Sequence, residues 1–437
     1  MLLASLLVAV PAATLTLAGV GHGADEPQVA KPDVPFCPLP EEMRTLIGNG
    51  FYKGRSAEVF AVARGDSVGS WSGSPEPTGA ANTWPWPGLP EASDGAYLKV
   101  PVLLWGDRIA HREAPFDAPL SSVAPTMAGA MGFDRPHPEV RSGAALDRIV
   151  GPGKPPRLVL MIGIKGLDLA DLEDARRWRA LLRLGKEGLL SDGDPKALPS
   201  DSAATLTTVG VGALPSEHGI TGSVVRNDNG ELVQAWGNGS PGSTLATLGD
   251  DLLQSEPAAM AGMVATSQQD RGLIGDGWYL DGRVPDFEVV RGKQVPTAFE
   301  RLLATGYGTD DTPDLVAAAI PVGGADRVLG ELLDAAEAAS GGRLTVAVFG
   351  TGSGGPARID AIQADEIVRE VEQRTGVPGI VSLAVSGAFF MDEEVAAETE
   401  TSSGQVVEAL KRIRGPDGKL VFEDAFPAFS IQFARYC

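Results

Sequence analysis

Cysteine and histidine are scarce in this sequence, and each scarcity removes a class of site. Cys37 and Cys437 are the only cysteines, too few for a disulfide-stapled scaffold and the wrong complement for a zinc–thiolate site. In an exported protein they could form one bridge. Histidine occurs four times, as His22, His111, His137 and His218. Positive charge is short as well: 36 Lys and Arg stand against 57 Asp and Glu, a formal net charge of −21. No basic stripe is available to release counterions from phosphates, so nucleic acid is not an expected partner. The acidic excess otherwise means a well-solvated surface. Aromatics make up 6% and charged residues 21%, against 43% hydrophobic. That balance suits a globular core and excludes a multi-span membrane protein.

What is present begins with an uncharged stretch. Residues 1–20 are mostly Ala, Leu and Val, and a polar stretch opens at Asp25. Residues 1–24 read as a signal peptide or a single membrane anchor, although the usual positive n-region is missing. Cleavage near Gly23 or Ala24, a retained anchor and a buried core helix are the alternatives, and export is favoured. The protein is then extracytoplasmic, secreted or held at the membrane by this segment alone, with a cell-envelope protein as a candidate partner. Residues 25–40 are a Pro-rich linker, and residues 64–93, dominated by Gly, Ser, Pro and Trp, a long surface loop.

Strand patterns fall at 57–63, 100–105, 157–164, 260–266, 314–320, 344–350 and 379–385. Helical patterns fall at 41–47, 120–131, 168–188, 245–253, 296–304, 326–339 and 361–374. The run RLVLMIGI at 157–164 is apolar almost throughout, as in a strand buried on both faces of a parallel sheet. Residues 151–157, opening on GPGKPP, read as a second linker, and the acidic residues 393–403 as a solvated loop. The alternation predicts an α/β fold with a central, mainly parallel sheet and helices on both faces.

The most specific segment is LPSDSAATLTTVGVGALPSEHGITG at 198–222. It resembles the nucleophile region of the type I phosphodiesterases and nucleotide pyrophosphatases of the alkaline phosphatase superfamily. Counting back from His218 through Pro215 and Gly212 puts Ser202 at the nucleophile position. Independently, Ser202 follows Asp201 at a helix start, where free N–H groups and the helix dipole favour a phosphate; the plainer alternative is an N-cap. Residues 157–167 resemble the family's opening strand, 313–333 its middle segment, and 344–355 the strand that ends in Asp-His-Gly. Residues 49–59, 100–106 and 123–133 resemble its C-terminal part. The resemblance implies an alkaline phosphatase-like fold in unusual order. Segment 41–150 matches the family's C-terminal part and segment 158–437 its nucleophile-bearing part, together one composite domain. This reads as a circular permutation, which exposed and adjacent termini permit, or as the loss of a preceding copy from a tandem array. If the chain is permuted, Cys37 and Cys437 flank the old junction and should form a disulfide; two unpaired thiols are the alternative.

Members of this family hold two metal ions, usually zinc, with Asp and His ligands. The first ligand Asp, just before Gly166, corresponds to Lys165. The middle Asp-x-x-x-His falls on Pro321, Val322, Gly323 and Gly324. The Asp-His pair falls on Gly352 and Ser353, and the last His on Asp94. Of these positions only Ser202 and Asp94 can coordinate, and His218 reads as structural. No cofactor is expected, or two zinc ions if the true ligands are others. The glycines of GTGSGG at 350–355 fill space, since the run lacks the Lys of a P-loop.

Three functions follow: a pseudoenzyme kept as a binding or structural module, a metal-independent hydrolase using Ser202 with Lys165, or a metal phosphodiesterase. Lys165 is expected to point toward Ser202. There it acts either as a base or, paired with a carboxylate such as Asp201, as a static plug of the old metal site. The plug is favoured, because a compact ammonium cannot supply the charge of two divalent ions.

Overall fold

The computed structural model describes residues 34–63, 99–110, 117–199, 201–352, 364–385, 387–415 and 418–437. The predicted leader (1–24), the loop at 64–93, and Asp94, His22, His111 and Ser353 lie outside them. In chain order the first elements are α1 (Glu41–Gly50), β1 (Val59–Ala63), β2 (Val100–Gly106), β3 (Asp117–Pro119) and α2 (Val123–Met131). Next come β4 (Leu158–Lys165), α3 (Arg179–Glu187), β5 (Leu189–Asp194), α4 (Ser202–Val211) and α5 (Pro215–His218). A hairpin of β6 (Val224–Arg226) and β7 (Leu232–Gln234) precedes α6 (Leu248–Ser255), β8 (Ala261–Ala265) and β9 (Asp286–Val289). Then follow α7 (Val295–Leu303), β10 (Asp314–Pro321), α8 (Ala325–Ser340), β11 (Leu344–Gly350) and α9 (Ala364–Thr375). The last are β12 (Val381–Val385), β13 (Ala388–Met391), α10 (Glu393–Glu398), α11 (Ser403–Leu410) and β14 (Phe422–Pro427).

The central sheet has eight strands in the order β3-β5-β2-β11-β4-β10-β8-β9. Only β2 runs against its neighbours; every other pairing in this sheet is parallel. The apolar runs reflect burial on both faces. Along β4, Val159 and Met161 join the core under α2, α4 and α6, while Leu158, Leu160, Ile162 and Ile164 join the core under α3, α7 and α8. In β10 the same alternation sends Leu315 and Ala317 one way, Val316 and Ala318 the other.

A second sheet, β12-β13-β1-β14, carries its own core. Here β1 pairs antiparallel with β13 and β14, so segments from the two ends of the chain complete one sheet. Likewise β2 from the early segment is inserted between β11 and β5 of the central sheet. Residues 34–40 do not hang as a linker. Val34, Phe36 and Leu39 are buried in the second core, with the Phe36 ring centroid 5.0 Å from that of Phe426. Cys37 is joined to Cys437 by a disulfide, with Cα atoms 5.1 Å apart.

Two local expectations need correction. The predicted helix at 168–188 is interrupted: a 3-10 turn covers Leu169–Glu173 and α3 starts only at Arg179. The acidic stretch at 393–403 is not a loop, because α10 occupies Glu393–Glu398. Asp392 caps it by accepting from the N–H groups of Glu394 and Val395, and Glu393 and Glu394 sit in the first turn, where the helix dipole favours carboxylates.

Candidate site at the carboxyl ends of the central strands

Strands β4, β10, β8 and β11 run parallel, and their carboxyl ends converge where open α/β sheets hold ligands. Lys165 ends β4 and Gly350 ends β11, so Thr351 follows beside them. Gly166 turns the chain with φ of +81°, a conformation that favours glycine. Its N–H donates to Thr351 Oγ1 at 3.2 Å, and Thr351 N–H donates to the Ile164 carbonyl at 3.1 Å. Thr351 is fully buried, and its hydroxyl meets Ser202 Oγ at 2.9 Å.

Ser202 opens α4, whose N-cap is Asp201. One Asp201 oxygen accepts from Ala203 and Ala204 N–H at 2.8 and 3.3 Å, and the other accepts from Ser223 Oγ at 2.7 Å. Ser202 is therefore the first helical residue and not the cap. Helix α4 lies directly on the sheet at Gly163, where an added Cβ would come within 2.5 Å of Leu206. It presses equally closely on the 3-10 turn Gln268–Leu273 that follows β8. A Cβ on Gly210 would sit 2.2 Å from the Gly272 carbonyl oxygen.

Strand alternation puts Lys165, like Gly163, on the face that α4 covers. Its ammonium goes to Asp270 of that 3-10 turn, with Nζ 2.9 and 2.8 Å from the two carboxylate oxygens. The carboxylate that meets Lys165 is therefore Asp270, not Asp201, which its own helix already uses. Asp270 Oδ2 also accepts from Thr266 N–H at 3.1 Å and Ser267 N–H at 2.9 Å. The pair is largely withdrawn from water, with side-chain exposures of 16% and 3%. Asp270 escaped the motif reading, yet its signal is present: Ser267-x-x-Asp270 after a strand is a capping box.

His218 is buried and works structurally. Ile220 N–H donates to its Nδ1 at 3.1 Å, so a neutral ring carries its proton on Nε2 and donates it to Thr208 Oγ1, also at 3.1 Å. Burial, reinforced by Arg55, pushes its pKa down to about 3. His137 lies on the surface beside Glu139. Gly352, with φ of +77°, only turns the chain after Thr351. Among the described residues no group of three or more His, Cys, Asp or Glu side chains is arranged to hold a metal ion. With an ammonium at the end of β4, the described residues do not fit a dinuclear zinc centre.

Among the described residues, no helix is long and apolar enough to cross a membrane. No protein-family model matches the sequence, and no curated protein matches it. Among solved structures the chain is similar to wild-type alkaline phosphatase PafA, with a TM-score of 0.40 and 13% identity over 60% of this chain and 76% of that one. It is also similar to a phosphonoacetate hydrolase from Sinorhizobium meliloti 1021 in complex with phosphonoacetate, with a TM-score of 0.30 and 18% identity. That match covers 42% of this chain and 55% of the hydrolase, little more than half its length.

Proposed function

We propose that this chain is an exported, circularly permuted member of the alkaline phosphatase superfamily, in which the catalytic metal centre has given way to a structural ion pair. On this reading the scaffold serves as a binding or structural module. The observation that carries it is the Lys165–Asp270 pair. A fixed cation stands where the family has a metal-binding Asp, and both oxygens of a buried carboxylate already hold it. An ammonium so engaged is not available to take a proton from Ser202. The Ser202 hydroxyl meets another hydroxyl, Thr351, which has no basicity to offer. The resemblance of 198–222 and the block order support the family and the permutation.

The test combines metal analysis with a panel of phosphate monoesters, phosphate diesters and carboxylic esters, assayed with wild type and Ser202→Ala. The expected result is no stoichiometric zinc after dialysis and no turnover that depends on Ser202. One or two zinc ions per chain, or hydrolysis that disappears in Ser202→Ala, would overturn the proposal.

A further inference from the structure

Three of the five asparagines in this chain, Asn49, Asn229 and Asn238, are followed by glycine. An Asn-Gly step can close on itself, the glycine nitrogen attacking the carbonyl carbon of the asparagine side chain. Glycine has no side chain of its own to obstruct that ring. Closure needs two things: a glycine N–H that no acceptor holds, and room for the backbone to turn. The fold treats the three steps differently on both counts.

Asn49 lies in the last turn of α1 with its side-chain amide donating to the Lys196 carbonyl at 2.7 Å. Gly50 beside it is packed so closely that a Cβ would lie 1.7 Å from the Leu198 carbonyl oxygen. Asn229 is at the tip of the β6–β7 hairpin, but the Gly230 N–H donates to the Asn227 carbonyl at 2.9 Å. A Cβ on Gly230 would come within 3.0 Å of the Glu393 carboxylate. Asn238 is exposed in the turn 237–240, which Ser240 N–H closes onto the Gly237 carbonyl at 3.1 Å. Of its two central residues only Gly239 has a positive φ, +77°, the pattern of a type II turn, whose central N–H faces outward. Among the described residues neither that N–H nor the Asn238 side chain has a hydrogen-bond partner. A Cβ on Gly239 would meet no atom within 4 Å. The shoulders of the turn are fixed all the same: Trp236 N–H donates to Ser240 Oγ at 3.1 Å, and the Trp236 carbonyl accepts from Gln268 at 3.0 Å.

We propose that Asn238 is a site of spontaneous covalent modification, converting to isoaspartate and aspartate while Asn49 and Asn229 persist. The Gly239 nitrogen gives up its proton to solvent and bonds to Asn238 Cγ. The Cγ–Nδ2 bond breaks, Nδ2 leaves as ammonia, and a succinimide ring remains. Water then opens the ring. Cleavage at the main-chain carbonyl carbon yields isoaspartate, with the chain rerouted through Cγ, and cleavage at Cγ yields aspartate. One water is consumed and one ammonia released, nothing is oxidised or reduced, and a neutral amide becomes a carboxylate. The product defines a partner by its chemistry: a carboxyl methyltransferase that recognises isoaspartate takes the aged chain as substrate. The inference is independent of any reaction at Ser202.

The test incubates the full chain in mildly alkaline buffer, folded and, in parallel, unfolded in guanidinium chloride. Peptide mapping by mass spectrometry reads a gain of about 1 Da at each converted asparagine. In the folded chain Asn238 should convert at least about fivefold faster than Asn229, the factor that one backbone hydrogen bond supplies. Asn49 should stay intact. In the unfolded chain the three rates should converge, because only the sequence then distinguishes them. The Asn238 rate should rise with pH, since the attacking nitrogen must first lose its proton. Methyl transfer to the aged protein by an isoaspartyl methyltransferase should fall in Asn238→Gln, whose longer side chain closes a ring far more slowly. Conversion of Asn229 or Asn49 as fast as Asn238 in the folded chain would overturn the proposal. So would an Asn238 that keeps its amide when folded but loses it in guanidinium, or methyl acceptance that Asn238→Gln leaves unchanged.

Discussion

Asp270 holds the candidate site together as a single side chain. It takes the Lys165 ammonium on both oxygens and two backbone N–H groups besides. Removing one member of such a pair leaves the other charge poorly solvated, which costs far more than the pair itself contributes. Asp270→Asn should therefore lower stability by about 3 kcal/mol. Lys165→Met in that background should restore part of the loss, because no orphaned charge remains. Urea denaturation of the two single variants and the double variant measures the coupling. Strictly additive effects would mean that the contact contributes nothing beyond its members.

At the scale of elements, α4 and α5 are locked by His218, which joins Thr208 to Ile220. The unfolded chain takes up a proton on this ring near the ordinary value of 6.5, whereas the folded one resists until about 3. The unfolded state therefore binds more protons across this window, and stability present above pH 6.5 is lost as pH falls toward 3. The loss is at most about 1.4 kcal/mol per pH unit. Between pH 7 and pH 5 wild type should lose about 2 kcal/mol more than His218→Gln, read from urea midpoints at the two values. Equal losses would show that this ring does not set the slope.

The same scale explains what was legible in the sequence. Strands β4, β10 and β11 stand out because burial on both faces leaves an uninterrupted apolar run. By contrast β5 (LLSDGD) and β9 (DFEV) are short and half polar, and leave no such run. Strand β14 is equally hidden in the sequence, because its partner β1 lies more than three hundred residues away, a distance that no local pattern records. Composition misled at α10, where acidic residues read as solvated loop are held helical by the Asp392 cap. Within the site, Ser202 and Lys165 were found by motif. Thr351 carries no such signal, and the Ser267-x-x-Asp270 capping box marks a turn without marking the contact to Lys165, which exists only in the folded chain.

For the whole molecule, the disulfide between Cys37 and Cys437 closes a loop with a sequence separation of 400. In the chain-entropy model a loop of this size stabilises the fold by on the order of 5 kcal/mol. Cys37→Ser should lower the denaturation midpoint accordingly, and a variant that melts with wild type would show that the bridge adds nothing. Residues 37 to 437 are thus a covalent ring rather than a line. One proteolytic nick inside it cannot release a fragment; it only reopens the ring elsewhere, with new ends at the cut. The nicked protein should stay one molecule without reductant and separate into two pieces with it. Each nick site that leaves the fold intact marks a position at which this polypeptide could begin.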